Sequence, residues 1–184
     1  MKDKLAIFDM DGTLFDTGEV NYRAYRDALL PYGIDLNRDD FVTKYNGRHY
    51  TEFLPVIMGT SEYLEAVHQA KKVAYVANLA HARVNLHLLG LIRLMRQEYY
   101  TAIVTTASRK NTQDILRHYS SEDEFDLTLT QEDITKVKPD PEGFLKAMEH
   151  FGADAAHTVI FEDSDVGIQA AKASGATVIR IIQF

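Results

Sequence analysis

The sequence predicts an α/β fold, a doubly wound parallel sheet with a helical insert after its first strand. Five short apolar runs, the candidate strands, occupy residues 5–8, 101–106, 125–130, 158–161 and 176–182. Helix-like segments at residues 111–118, 141–151 and 166–174 follow the second, third and fourth runs. Strands that alternate with helices in this way are typical of parallel sheets.

The first run is apolar throughout and ends at Asp9, as expected for a strand buried on both faces. The stretch before the second run is far longer than one crossover helix requires, and its periodicity is helical. We therefore predict a core domain of residues 1–15 and 84–184 and a helical cap of residues 16–83. Within the cap, Ser61 is the predicted N-cap of a helix that runs through Leu79. Its predicted apolar face comprises Leu64, Val67, Ala70, Val73 and Ala74.

A second helix, which returns the chain to the sheet, is predicted from an apolar stripe at three- and four-residue steps. The stripe comprises Leu88, Leu91, Ile92 and Met95.

Composition excludes several classes of function. The 184 residues include no cysteine, so a disulfide framework, a thiolate metal site and a cysteine nucleophile are ruled out. The formal net charge of −7, without a long basic run, argues against nucleic acid as a partner. No signal peptide or membrane-spanning run is evident, so we expect a cytoplasmic protein without membrane contact.

Two carboxylates, Asp9 and Asp11, end the first predicted strand and are followed by Gly12. Carboxylates at the end of a buried strand are costly unless a cation or a raised pKa neutralises them. Two acids on alternate residues can also divide the chemistry, one attacking and the other moving protons. An EF-hand calcium loop fits less well, because the glycine comes too early and a buried strand precedes the loop.

A second acidic pair, Glu162 and Asp163, ends the fourth predicted strand. In a doubly wound sheet the carboxyl ends of the strands face one crevice. If the first and fourth strands are neighbours, four carboxylates converge there, and oxygen ligands of this kind suit Mg²⁺. Either pair alone would fit an ordinary polar loop equally well, whereas two pairs at matching strand ends favour a cation site.

Two further segments carry groups that suit phosphate. Thr106, Ala107 and their neighbours follow the second strand, where hydroxyls and backbone N–H groups before a helix can hold phosphate oxygens. Lys138 precedes Pro139, and the restricted backbone could hold its ammonium over the crevice as a point charge. Taken singly, these signals also fit a helix cap and a surface lysine.

These pieces occur in an order that resembles the haloacid dehalogenase-like hydrolase superfamily, in its helical-cap branch of phosphoglycolate phosphatases and β-phosphoglucomutases. The motifs are Asp9-Met10-Asp11-Gly12-Thr13, Thr106 with Ala107, Lys138-Pro139, and Glu162-Asp163-Ser164 leading into residues 167–175. The resemblance implies a three-layer sandwich whose five-stranded parallel sheet is Rossmann-like, with an inserted α-helical cap. It also implies a phosphoric monoester hydrolase that acts on a small phosphorylated metabolite.

The resemblance further implies a role for each motif residue. Asp9 would attack phosphorus and become an aspartyl phosphate, and Asp11 would protonate the leaving oxygen and then activate water. Thr106 and Lys138 would hold phosphoryl oxygens. The implied Mg²⁺ positions are Asp9, the Asp11 carbonyl, Asp163 and Glu162, the last as a ligand or beside one. The implied substrate-binding positions are Gly12, Ala107 and Arg48.

Arg48 lies in a polar stretch that resembles the specificity loop of such caps, although an exposed turn between helices is an equal interpretation. Asn21 stands where the mutases typically carry histidine, and Thr13 follows the phosphatase pattern, so hydrolysis is favoured over a mutase reaction. A sugar-phosphate mutase and a non-catalytic binding relative are the alternatives. We expect a monomer or a weak homodimer.

Overall fold

The computed structural model describes residues 2–182, which form two compact units. Of the described residues, one unit comprises 2–16 and 83–182, and the other comprises 17–82. These boundaries differ by one residue from the predicted ones.

The described residues contain seven strands and eight α-helices. The strands are β1 (Lys4–Phe8), β2 (Phe15–Asp16), β3 (Arg83–Val84), β4 (Tyr99–Val104), β5 (Leu127–Leu129), β6 (Thr158–Glu162) and β7 (Thr177–Arg180). The helices are α1 (Gly18–Leu29), α2 (Arg38–Asp40), α3 (Tyr50–Met58), α4 (Leu64–Ala77), α5 (Leu86–Met95), α6 (Arg109–His118), α7 (Glu142–Phe151) and α8 (Asp165–Ala173).

The main sheet has five strands in the order β5-β4-β1-β6-β7, and all of its pairings are parallel. The predicted α/β fold with a five-stranded parallel sheet is therefore confirmed. Strand β1 is central: Phe8 pairs with Ile103 of β4 on one side and with Phe161 of β6 on the other. Because all five strands are parallel, their carboxyl ends lie along one edge of the sheet.

The two faces of β1 belong to different parts of the core, because successive side chains of a strand alternate. Leu5 and Ile7 are fully buried in a cluster with Phe144 of α7 and Ala170 of α8. On the opposite face the ring of Phe8 stacks on Phe161, with ring centroids 4.6 Å apart. This burial on both faces explains why the first strand reads as an uninterrupted apolar run.

The strands β2 and β3 form a separate two-residue antiparallel ladder at the ends of the core segments. Phe15 pairs with Val84 and Asp16 with Arg83, and an ion pair joins the Asp16 and Arg83 side chains. So short a ladder leaves no periodic signal, and the sequence did not predict it.

The helical unit has an aromatic core of its own. Phe53 lies 5.0 Å from Tyr25 and 6.2 Å from Phe41 between ring centroids, with edge-to-face geometry in both pairs. Leu29 of α1 and Val67 of α4 are fully buried in the same cluster. Hydrophobic and aromatic contacts within residues 17–82 thus build the second core.

Two details of the helix predictions are wrong. Helix α4 begins at Leu64, not after Ser61, and its N-cap Tyr63 makes no side-chain capping bond. Its buried residues are Val67, Lys71 and Tyr75, whereas Val73 is 73% exposed. The helix thus begins later than predicted, and its buried face is rotated from the predicted one.

The returning helix α5 differs in a similar way. Leu89 is buried where Leu91 was expected, and Leu91 is 41% exposed. The last strand, β7, ends at Arg180, so the predicted extension to Ile182 is also wrong.

Among residues 2–182 no helix combines the length and apolarity that crossing a bilayer requires.

Candidate active site

The carboxyl ends of β1 and β6 bring three acidic side chains together. The Asp9 N–H donates to the Phe161 carbonyl at 2.9 Å, which holds the two chain segments side by side just past the paired strands. Asp9, Glu162 and Asp163 each offer a carboxylate oxygen, and these oxygens lie within 4.8 Å of one another. Neighbouring parallel strands thus place acids from positions more than 150 residues apart in one cluster.

A tight turn after β1 shapes the site around Gly12, whose φ is +91°. A Cβ atom built there would lie 2.3 Å from the Asp163 carboxylate, so only glycine fits. Thr13, fully buried, donates its hydroxyl hydrogen to Asp163 at 2.9 Å. Asp11 lies partly exposed in the same turn, and its backbone forms an isolated β-bridge with Phe15. The turn therefore sets the position of Asp163 as well as that of its own residues.

Lys138 connects the two buried carboxylates. Its Nζ donates to Asp9 Oδ1 at 2.5 Å and to Glu162 Oε2 at 2.7 Å. Asp9 is 6% exposed and Glu162 1% exposed, so the ammonium is the cation that these buried acids require. The lysine arrives from the connection between β5 and α7, and its peptide bond to Pro139 is cis.

Burial governs the electrostatics of this cluster. It raises the pKa of Asp9 well above its usual value, and the nearby Glu162 and Asp11 charges add to that effect while Lys138 opposes it. Burial also raises the pKa of Asp163, against the hydrogen bond from Thr13. For Lys138, burial lowers the pKa, but the Asp9 and Glu162 carboxylates outweigh it, so the pKa is raised. The ammonium stays charged while the carboxylates repel one another.

Glu162 is enclosed on all sides. Its Oε1 accepts from the Ser164 hydroxyl at 2.8 Å and from the Ser164 N–H at 3.1 Å. A Cβ at Gly167, in the first turn of α8, would lie 2.0 Å from the Glu162 carboxyl carbon. Both oxygens of Glu162 therefore already have donors, from Ser164 and from Lys138. Glu162 was expected either to bind Mg²⁺ or to lie beside a residue that binds it, and these hydrogen bonds fit the second role better.

The segment after β4 places Thr106 at the neighbouring strand end, where it is exposed. The preceding Thr105 is buried, and its hydroxyl accepts from the Ala107 N–H at 3.1 Å. Its N–H donates to the Leu129 carbonyl at 3.0 Å, which ties this segment to β5. Thr105 therefore shapes the loop, and Thr106 and Ala107 lie at its surface.

The remaining predicted residues lie in the helical unit. Arg48 is an exposed residue whose Nε and Nη2 donate to Glu52 at 3.1 and 3.0 Å. Asn21 donates from its side-chain amide to Thr17 at 3.3 Å.

The sequence did not predict the burial of Lys71. Lys71 is 6% exposed, with its Nζ 5.1 Å from the ring centroid of Tyr25 and 4.7 Å from that of Tyr75. Aromatic faces can hold a buried ammonium in this way. The available signal was the position of Lys71, four residues from Val67 on one side and from Tyr75 on the other.

The donor set fits a hard divalent cation such as Mg²⁺. Asp9 and Asp163 offer carboxylate oxygens of the kind that this ion prefers, and Glu162, whose oxygens accept from Ser164 and Lys138, lies beside them. The Asp163 carboxylate occupies the space beside Gly12 that a Cβ atom would fill, so its oxygens lie directly against the turn after β1. One lysine offsets only part of the negative charge of Asp9, Asp11, Glu162 and Asp163.

Comparison with known proteins decides the family. Residues 6–181 match the family described as haloacid dehalogenase-like hydrolase. The chain belongs to this family. Its relatives include named phosphatases and a β-phosphoglucomutase, and it is a phosphatase of the haloacid dehalogenase type.

Several named relatives span nearly the whole chain. The phosphorylated carbohydrates phosphatase of Thermotoga maritima is 30% identical over 92% of this chain and 80% of its own length. Protein CbbY of Rhodobacter capsulatus is 30% identical over 97% of this chain and 85% of its own. The fructose-1-phosphate phosphatase YqaB of Escherichia coli is 26% identical, covering 95% and 94%.

Solved structures agree on the fold of these haloacid dehalogenase-like hydrolases. CbbY from Rhodobacter sphaeroides, crystallised in complex with phosphate, superposes with a TM-score of 0.85 at 24% identity, over 100% of this chain and 88% of that one. A hydrolase of the same superfamily from Entamoeba histolytica gives a TM-score of 0.81 at 25% identity, over 97% and 84%.

Proposed function

We propose that this phosphatase hydrolyses a small sugar phosphate in a Mg²⁺-dependent reaction through an aspartyl-phosphate intermediate on Asp9. The observation that carries the proposal is the environment of Asp9. Its carboxylate is buried at the end of β1, receives a hydrogen bond from Lys138, and lies within 4.8 Å of the acids of β6. The named relatives that act on phosphorylated carbohydrates support the choice of substrate class.

The candidate ligands of the ion are Asp9, the Asp11 carbonyl and Asp163, with Glu162 beside them. When bound, Mg²⁺ would offset the negative charge of the phosphoryl oxygens. Thr13 holds Asp163 in place through its 2.9 Å hydrogen bond. Glu162 orients Lys138, since its Oε2 accepts from the ammonium.

In the first half of the reaction, an Asp9 carboxylate oxygen forms a bond to phosphorus as the bond to the ester oxygen breaks. Asp11 donates its proton to the leaving alcohol. In the second half, Asp11 takes a proton from water, which attacks phosphorus and releases Asp9 and inorganic phosphate. Lys138 and Thr106 hold the phosphoryl oxygens, so this chain contributes mainly positioning and charge.

The helical unit is the proposed source of substrate selection. Arg48 is its candidate contact for an anionic or polyhydroxyl group, and its guanidinium would exchange the exposed Glu52 partner for the substrate. An exposed ion pair of this kind contributes little stability, so the exchange costs little.

The test is a phosphate-release assay on a panel of sugar phosphates, phospho-acids and nucleotides, with Mg²⁺ or with excess chelator. We expect turnover of one or more sugar phosphates, dependent on Mg²⁺ and abolished by Asp9→Asn. The matched control is Asp3→Asn, an exposed aspartate before β1, which should match wild type. Full activity in chelator, or in Asp9→Asn, would overturn the proposal.

A mutase reaction is the second candidate, because a β-phosphoglucomutase of Bacillus subtilis is 27% identical over 98% of this chain. Asn21, where the mutases typically carry histidine, favours hydrolysis. The two are separated by the products formed from β-glucose 1-phosphate: free phosphate from hydrolysis, or glucose 6-phosphate from a mutase.

A further inference from the structure

The connection that delivers Lys138 has little backbone structure of its own. Residues 134–141 lead from the 3₁₀ turn Gln131–Asp133, which follows β5, to α7. Within the described chain these residues share one internal backbone hydrogen bond, from the Asp140 N–H to the Val137 carbonyl at 3.1 Å. Lys138 nevertheless holds both Asp9 and Glu162 from this segment. Something outside the segment must fix its path.

Glu142, the first residue of α7, supplies that anchor. Its Oε1 accepts from the Thr135 N–H at 3.0 Å, and its Oε2 accepts from the Thr135 hydroxyl at 2.8 Å and the Lys136 N–H at 2.7 Å. These three bonds run from the end of the segment back to its beginning. They close a loop of which Lys138 is near the middle.

The contacts of Glu142 differ from those of an acid that merely caps its own helix. Such a cap accepts from N–H groups of the first helical turn. Here Asp140 accepts from the Glu142 N–H at 3.0 Å, while the Glu142 carboxylate accepts from the backbone N–H groups of Thr135 and Lys136, which precede the helix. Lys146, one turn later, forms a 2.6 Å ion pair with Oε1 and so orients the carboxylate.

We propose that Glu142 is a positioning residue that holds the Lys138 loop closed and thereby places the Lys138 ammonium between Asp9 and Glu162. This proposal rests on the proposed function for its kinetic consequence, but the placement of Lys138 can be measured without it. The lowered pKa of Glu142, about 2 because of the Lys146 and Thr135 hydrogen bonds, keeps the anchor ionised at any working pH.

Lysine footprinting tests the placement directly. Wild type, Glu142→Gln and Glu142→Ala are acylated briefly with acetic anhydride, and Lys138 modification is read by mass spectrometry. In wild type the Lys138 side chain is 9% exposed and should label slowly. Both variants should label Lys138 several-fold faster, with Gln intermediate because it keeps one carbonyl acceptor. The matched control is Glu149→Gln, an exposed acid on the same helix, which should leave labelling unchanged.

Kinetics test the consequence, using the best sugar phosphate from the panel. Glu142→Ala should lower kcat by about tenfold to a hundredfold, the range expected when a catalytic group is misplaced by about 1 Å. In a Lys138→Ala background, Glu142→Ala should lower kcat by less than about twofold, because the ammonium that Glu142 positions is absent. Thermal unfolding verifies that each variant is folded, and Glu142→Gln replaces Glu142→Ala if the latter is not.

The outcomes separate the two proposals. Unchanged Lys138 labelling in folded Glu142 variants, or an equal loss of kcat with and without Lys138, would overturn the role of Glu142. An inactive wild type whose Lys138 labelling still depends on Glu142 would overturn the proposed function and support the loop anchor.

Discussion

Replacing Gly12 with alanine should lower the free energy of unfolding for two reasons. A residue with a Cβ at φ +91° is strained by about 1–2 kcal/mol. The new methyl would also lie 2.3 Å from the Asp163 Oδ2, and forcing such an atom into filled space costs about 1–3 kcal/mol. Together we expect a loss of about 2–5 kcal/mol in the free energy of unfolding, with displacement of Asp163.

The assay is urea denaturation in chelator, paired with a titration of activity against Mg²⁺. Gly152→Ala is the matched control, since Gly152 has φ +65° with open space around it and should lose only the strain energy. In an Asp163→Ala background the steric part of the Gly12→Ala cost should disappear. If Gly12→Ala is no less stable than Gly152→Ala, and its Mg²⁺ requirement is normal, the steric reasoning is wrong.

Four further outcomes follow from the same cluster. Gly167→Ala, whose Cβ would meet the Glu162 carboxyl group, should cost about 1–3 kcal/mol in urea denaturation, and a neutral result would contradict the close approach. Lys138→Met leaves two buried carboxylates without their ammonium and should cost about 3–5 kcal/mol in chelator, partly recovered with Mg²⁺; a loss below 1 kcal/mol would argue against the pairing. Asp9→Asn should end turnover and should also raise the melting temperature in chelator. The reason is that a carboxyl group whose pKa is raised on folding destabilises the fold once it ionises, and a lowered melting temperature would contradict this reasoning. The stability difference between wild type and Glu142→Gln should be constant above pH 4.5 and should shrink as the pH falls toward about 2, because the pKa of Glu142 is lower in the folded than in the unfolded protein. A difference that grows on acidification would contradict this prediction.

The parallel sheet was predictable from the sequence because its strands are buried on both faces. The run at residues 5–8 contains no polar residue, and its end at Asp9 marks where the chain leaves the core. The strand-end acids of β6 could be found in the same way. Burial, charge and chain direction all act locally at these positions, so a single sequence records them.

The helical unit was less predictable because its helices lack strong end signals. Ser61 has the chemistry of an N-cap, but its carbonyl accepts the Leu64 N–H in a preceding turn, and the helix starts later. The burial of Lys71 was missed because a charge on an apolar face counts against burial. Two tyrosine rings and a long aliphatic stem make that burial possible, and neither is evident from sequence spacing.

The geometry of the Lys138 loop could not be predicted either. Its position depends on bonds between Glu142 and the backbone of Thr135 and Lys136, which a sequence pattern does not specify. The close approach of Gly12 to Asp163 likewise depends on the register between β1 and β6.

The place of β1 at the centre of the sheet has a consequence for biosynthesis. Its partners β4 and β6 begin at Tyr99 and Thr158, so β1 leaves the ribosome long before either partner strand is available for pairing. Residues 17–82 have a core of their own and are complete earlier. We therefore expect the nascent chain to acquire helical structure first, with an exposed apolar N-terminal strand as its main aggregation hazard until β6 is made.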